Sequence, residues 1–328
     1  MPLPPPDAVA VSSWSWHAPF YAGRLYLHDI PHEAARLGFQ AVELNDFMLA
    51  PPRFGRVRTL FFKLARAALH TLRPPMERGA PTPPPARLAQ VQSLLAAFSH
   101  RHTPAIPDEL IRYTHHNLRR VRQALGESGM QCLVWTVNSD FCTPDTVWAW
   151  QERYLRWGLA AAQTLGATRL RLTLGGTADA SPDVETRVVE RLAALATYAG
   201  THHPTCQLVV ENHWGITTEL ERLLRILDRA RQRAGAAIGL CFDPGNLPPE
   251  TREAGWALLA PHAAHLHFKT FAFDADGNET TLPYDRILPL VGATCATVTI
   301  EFEGDGDAHT GIMRSLALYK RLVVGMQA

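Results

Sequence analysis

The chain has 328 residues, 46% of them hydrophobic and 19% charged, with a formal net charge of +1. Such a chain buries a large core, and the neutral balance argues against a surface built to track a phosphate backbone. Its five cysteines, Cys132, Cys142, Cys206, Cys241 and Cys295, are odd in number, scattered and free of any C-x-x-C pair, which suits a reduced intracellular protein better than a disulfide framework.

From the N-terminus, MPLPPPDAVAVSS carries neither the charged nor the apolar segment of a secretory leader. No apolar run approaches the roughly 20 residues needed to span a bilayer, so the expectation is a cytoplasmic protein with no membrane partner. The first β-rich run, VSSWSWH, predicts a strand over about 11–16. A unit then repeats: an amphipathic helix ends near glycine, a few residues follow, and a β-rich run begins. It first appears in AARLGFQAVELND (34–46), with a strand at 40–45. It returns in ALGESGMQCLVWTVN and AAQTLGATRLRLTLGG, giving strands at 131–137 and 168–174. CQLVVENH adds 206–212, and Thr218-Glu219-Leu220-Glu221 reads as a capping box opening the next helix. RAGAAIGLCFDPGN, APHAAHLHFKT and LVGATCATVTIEFEG supply strands at 237–242, 263–269 and 296–302. Glycine recurs at the helix ends because it takes the left-handed conformation at little cost.

Strands alternating with helices pair in parallel, and eight of them predict an α/β protein: a closed (β/α)8 TIM barrel in a single domain over 1–328. A doubly wound open sheet is the alternative, but no G-x-G-x-x-G follows the first strand. One stretch interrupts the repeat. Residues 50–110, after strand two, are far longer than an ordinary strand-to-helix connection and hold RTLFFKLARAALHTL and the proline-rich RGAPTPPPARL. This is read as a helical, Pro-rich insertion: a solvated face, a lid or a contact between copies in a homo-oligomer.

Four late strands end in residues able to hold a metal: Glu211 in VVENH, Asp243 in CFDPGN, His267 in HLHFKT and Glu301 in VTIEFEG. A parallel barrel delivers every strand's C-terminal end to one rim, so these side chains converge there. Three carboxylates and one imidazole suit a single divalent ion such as Mn²⁺, Mg²⁺, Co²⁺ or Zn²⁺, and the absence of cysteine among them argues against a structural thiolate zinc. Around them, His213, Asn246 and Lys269 face the rim as candidate substrate contacts. Glu43 joins them at the end of strand two, beside Asn45, which serves equally well as a cap. Trp14 is a candidate apolar wall with Trp16 and His17. Arg171 alternates with Arg169, so one of the two points inward, to bind substrate or to form a buried ion pair. Asp305 and Asp307, in EGDGD, read as a solvated turn. In VTIEFEG the alternation puts Glu301 and Glu303 on one face, with Glu301 at the depth of a ligand.

Taken in order, VENHWG, the Asp-x-x-Asn of FDPGN, HLHFK and IEFEGDGD resemble the xylose isomerase-like TIM barrel superfamily of sugar isomerases and epimerases, related to ketose 3-epimerases and endonuclease IV. The resemblance covers about 8–50 and 115–325. It implies that Glu211, Asp243, His267 and Glu301 ligate one divalent ion, and that Glu211 and Glu301 are the catalytic pair moving protons on opposite faces of a sugar. The implied activity is a metal-dependent isomerase or epimerase acting next to a carbonyl through a metal-stabilised enediolate. An inosose or keto-sugar dehydratase or lyase needs the same proton abstraction, and a non-catalytic sugar-binding barrel is a further class. Endonuclease IV relatives need three zinc ions and a histidine where this chain has Asn246. With the neutral charge balance, that leaves a small-molecule sugar as the expected partner and no nucleic acid.

Overall fold

A computed structural model of the chain describes residues 3–21, 24–49 and 108–327. The expected insertion at 50–110 lies almost entirely outside the described residues. The eight strands are β1 (Ala10–Ser12), β2 (Ala41–Asn45), β3 (Gln131–Val137), β4 (Arg169–Leu172), β5 (Gln207–Glu211), β6 (Ile238–Phe242), β7 (Ala263–Thr270) and β8 (Thr297–Phe302). They pair in chain order as a closed parallel barrel, sealed where Ala10 and Val11 meet Thr299 and Ile300. The fold is therefore the (β/α)8 TIM barrel that the alternation predicts.

Glycine closes the helix before β4. Asp145–Leu165 stops at Gly166, whose φ of 76° is left-handed and whose N–H reaches back to the carbonyls of Ala162 and Gln163. The outward residues of β8 pack against the last helix, Ala308–Gln327: Gly311 lies so close to the ring of Phe302 that an added Cβ would come within 2.3 Å of it. Val298 and Ile300 are fully buried on the same face, while Thr299 and Glu301 turn to the barrel axis. No helix among the described residues is long and apolar enough to cross a membrane.

Two local expectations are corrected. The first strand ends at Ser12, and Ser13–Trp16 forms a 3-10 turn, because the Ser12 hydroxyl accepts the Trp14 N–H at 3.2 Å and caps it. The capping box at 218–221 does not form: the helix Leu220–Ala234 starts at Glu219 without a side-chain cap, and Thr218 donates to the Gly215 carbonyl instead.

Candidate metal centre

The barrel's stagger explains why the four candidate ligands share one height. With a shear of eight over eight strands, a constant height advances about one residue per strand. Glu211 pairs level with Cys241, so Asp243 lies two residues further; Cys241 pairs level with His265, so His267 keeps step with Asp243. His267 pairs level with Thr299, so Glu301 is again two further. The offsets follow the tilt of the strands, and the side chains converge at the C-terminal mouth.

There, His267 Nδ1 lies 3.2 Å from Glu211 Oε1, 3.4 Å from Asp243 Oδ2 and 4.0 Å from Glu301 Oε1. Glu211, Asp243 and His267 each offer a ligand atom within 4.8 Å of the others, and all three are buried. Glu301 stands just outside that group. Its Oε2 accepts the Ser12 hydroxyl at 2.9 Å and its Oε1 is 3.2 Å from Lys269 Nζ. Asp243 is aimed by its own turn, accepting the N–H groups of Gly245 and Asn246 on Oδ1. That leaves Oδ2 toward His267 and Lys269.

The surrounding candidates divide between those engaged in the acidic cluster and those on the rim. Lys269 Nζ sits 2.9 Å from Asp243, 3.2 Å from Glu301, 3.3 Å from Glu303 and 3.1 Å from Asn246 Oδ1. Asn246 in turn donates to Glu211 Oε1 at 3.1 Å, bridging the two halves of the cluster. Arg171, the inward member of its pair, contacts Glu211 directly and lies 3.6 Å from Glu43. Glu43, expected at the pocket wall, is fully buried beneath His267, with Oε1 3.0 Å from Nε2. His213 is exposed beyond β5, its backbone N–H held by Thr217 Oγ1 at 3.0 Å. Trp14 lies on the rim, stacked on His17, and its indole N–H donates to Glu303. Asp307 is more than a solvated residue, since it caps the last helix through Thr310 at 2.8 Å.

The electrostatics distinguish the two glutamates of the proposed catalytic pair. Burial opposes ionisation of Glu211, but the Arg171 guanidinium outweighs it and holds the carboxylate well below its ordinary range. At Glu301, burial prevails over the attraction of Lys269, and its pKa is raised. Burial disfavours an imidazolium at His267 and an ammonium at Lys269, yet the carboxylates around both push their pKa values well above the ordinary ones. Five carboxylates, Glu43, Glu211, Asp243, Glu301 and Glu303, thus face two permanent cations, Arg171 and Lys269. The excess of negative donors around a single imidazole fits a divalent, oxygen-preferring ion.

Two groups went unnoticed in the sequence. His265 is fully buried, 3.1 Å from Glu43. The alternation that turns His267 and Lys269 inward applies to it as well, so HLHFK carried the signal. Cys241 joins His265 and His267 in a second close group. Its orientation has no sequence motif behind it, and burial pushes its thiol up to about 12, so it packs as a neutral group.

No curated protein sequence matches the chain. Among solved structures, D-allulose 3-epimerase from Methylomonas sp. in complex with D-allulose is similar at 13% identity and a TM-score of 0.59, over 98% of this chain and 99% of that one. A xylose isomerase-like TIM barrel protein from Mycobacterium smegmatis in complex with magnesium matches at 14% identity and 0.58, over 98% of both. The probable 3-DHS dehydratase AsbF of Bacillus anthracis matches at 13% and 0.56, over 95% of this chain and 98% of that one. At such identities the likeness is one of fold. The sequence model of the xylose isomerase-like TIM barrel matches residues 31–321, and the chain belongs to that family.

Proposed function

We propose that the chain is a divalent-metal-dependent sugar isomerase or epimerase that moves a proton on carbon next to a carbonyl. The observation that carries this is the convergence of Glu211, Asp243 and His267 within 4.8 Å at the barrel mouth, with Glu301 alongside. These four would hold the ion. Mn²⁺, Mg²⁺, Co²⁺ and Zn²⁺ all suit the donors, and a solved relative contains magnesium. Bound there, a divalent ion supplies Lewis-acid polarisation of a carbonyl oxygen and its neighbouring hydroxyl.

The chain's own residues supply the proton transfers. Glu211, kept ionised by Arg171, takes the proton from carbon, and Glu301 returns one from the other side. The Ser12 hydroxyl fixes the Glu301 carboxyl at Oε2. Lys269 Nζ and Asn246 Nδ2 orient the substrate's oxygens, while Trp14 and the exposed His213 and Trp214 border the entrance. A relative crystallised with D-allulose supports a small keto-sugar as substrate. The five cysteines, all unpaired, suit a reducing cytoplasm.

The test incubates metal-loaded protein with a panel of ketoses, aldoses and inososes in D₂O. Deuterium appearing next to the carbonyl establishes proton abstraction, and the product separates isomerase, epimerase and dehydratase. No exchange with any substrate, together with cleavage of abasic DNA, would overturn the proposal.

A further inference from the structure

Below the metal centre lies a hydrogen-bonded layer that a substrate cannot reach. Glu43, at 0% exposure, places Oε1 3.0 Å and Oε2 3.3 Å from His267 Nε2, and Oε2 3.1 Å from His265 Nε2. His265, equally buried, sits with Nδ1 2.8 Å from the Thr297 hydroxyl. A carboxylate only accepts, so each imidazole must present an N–H to it from Nε2. With Nε2 of His265 donating, its Nδ1 accepts from Thr297 Oγ1. The chain Thr297–His265–Glu43–His267 is then satisfied along its length. On the opposite edge of His267, Nδ1 faces Glu211, Asp243 and Glu301 at 3.2, 3.4 and 4.0 Å.

We infer that Glu43 is a positioning residue and not a substrate contact: it pins the proton of His267 on Nε2, so that Nδ1 is the nitrogen offered to the metal centre. Without Glu43, His267 would have carboxylate acceptors on one edge only. Its N–H would turn to them, leaving the lone pair aimed away from the cluster. A metal-binding histidine fixed through its far nitrogen by a carboxylate is a general means of setting both tautomer and ring orientation, and loss of such a partner costs 10- to 100-fold in metal affinity. This inference rests on the proposed metal centre for its consequence, while the contact between Nε2 and Glu43 is present in the protein without metal.

The experiment uses the full chain labelled with ¹⁵N-histidine, and long-range ¹H–¹⁵N spectra of the Zn²⁺-loaded protein, since without metal both nitrogens of His267 face carboxylates. The His267 signal is assigned by its loss in His267→Asn. With Zn²⁺ bound, the wild-type His267 should keep its one proton on Nε2, Glu43→Ala should shift it toward Nδ1, and Glu43→Gln, which keeps one acceptor oxygen, should restore Nε2–H in part. Calorimetric titration with Mn²⁺ should show one equivalent bound by the wild type, affinity weakened 10- to 100-fold in Glu43→Ala, and a smaller loss in Glu43→Gln. An unchanged His267 tautomer in both variants would overturn the inference, even if both bind metal poorly. So would two equivalents of Mn²⁺ with Glu43 needed for the second. A wild type that binds neither Zn²⁺ nor Mn²⁺ would overturn the metal reading and this inference with it, whereas full affinity in Glu43→Ala would overturn the inference alone.

Discussion

Replacing Arg171 by methionine tests the electrostatic frame of the site most directly. The guanidinium is 8% exposed, contacts Glu211 and lies 3.6 Å from Glu43, so its removal strands negative charge inside the barrel. At 3.6 Å and an effective dielectric of about 20, the attraction to Glu43 alone is roughly 4–5 kcal/mol before desolvation is counted. Removing one partner of a buried pair typically costs about 3–5 kcal/mol. An unfolding entropy of about 2.1 cal/mol/K per residue over 328 residues turns that into a fall in Tm of about 4–7 °C. Differential scanning calorimetry of the metal-free proteins at one scan rate should show it. Saturating Mn²⁺ should then narrow the gap, because the ion replaces the lost positive charge beside Glu211 and so binds the variant more tightly; each tenfold in affinity recovers about 1.4 kcal/mol at a given saturating Mn²⁺ concentration. The pH dependence has a definite sign. Glu211 has a lowered folded pKa, so the stability it draws from Arg171 is present above its ordinary value of 4.5 and is lost as the pH falls through the folded value. The gap between wild type and Arg171→Met should therefore be full near pH 7 and shrink below about pH 4. A metal-free variant within about 1 °C of wild type, or a gap that Mn²⁺ leaves untouched, would refute this account.

Lys269→Met should bind Mn²⁺ more tightly, by roughly tenfold or about 1.4 kcal/mol, since it frees Asp243 and Glu301 of a competing cation, yet lose at least about a hundredfold in kcat; calorimetry and turnover read the two effects separately. Gly245→Ala should reproduce the loss of rate while staying folded, because the added Cβ would come 2.7 Å from Lys269 Cδ and displace the side chain; thermal melts and kcat check it. On β8, Glu301→Gln should abolish turnover and weaken the metal, whereas Glu303→Gln should keep the metal and a measurable rate, since Glu303 touches Lys269 and Trp14 and lies beyond His267. The reverse pattern in metal content and rate would mean that Glu303 is the ligand.

Much of the fold was legible because both periods are short-range. Apolar runs of five or six residues, glycine at helix ends and eight strands alternating with helices require parallel pairing, and the closed barrel follows. The ends of the strands were less legible, because they depend on single side chains. Ser12 caps the turn at Ser13–Trp16 and cuts β1 short, and nothing in VSSWSWH distinguishes that serine from a strand residue. The capping box at 218–221 failed for a related reason. Gly215 takes a left-handed conformation, φ 71°, and offers its carbonyl to Thr218, a partner set by the loop before the helix.

At the site, the residues that converge were legible and their partners were not. Glu211, Asp243, His267 and Glu301 come from consecutive strands, where pairing and tilt are predictable from neighbour to neighbour. Glu43 and His267 are 224 residues apart, on β2 and β7, which share no edge and meet only across the barrel interior. Whether two inward side chains touch there depends on the volume of everything between them, including Cys241 and Arg171, and no one-dimensional period encodes that. Charge adds a further constraint that composition conceals: a chain with a net charge of +1 gathers five carboxylates around two cations at one end of its barrel. Such a concentration folds only because each buried oxygen has a donor, from Ser12, Asn246, Arg171, His265, His267 or Lys269. The same donors that make the cluster tolerable in the folded chain also aim its free lone pairs inward, so folding and metal selection draw on one set of contacts.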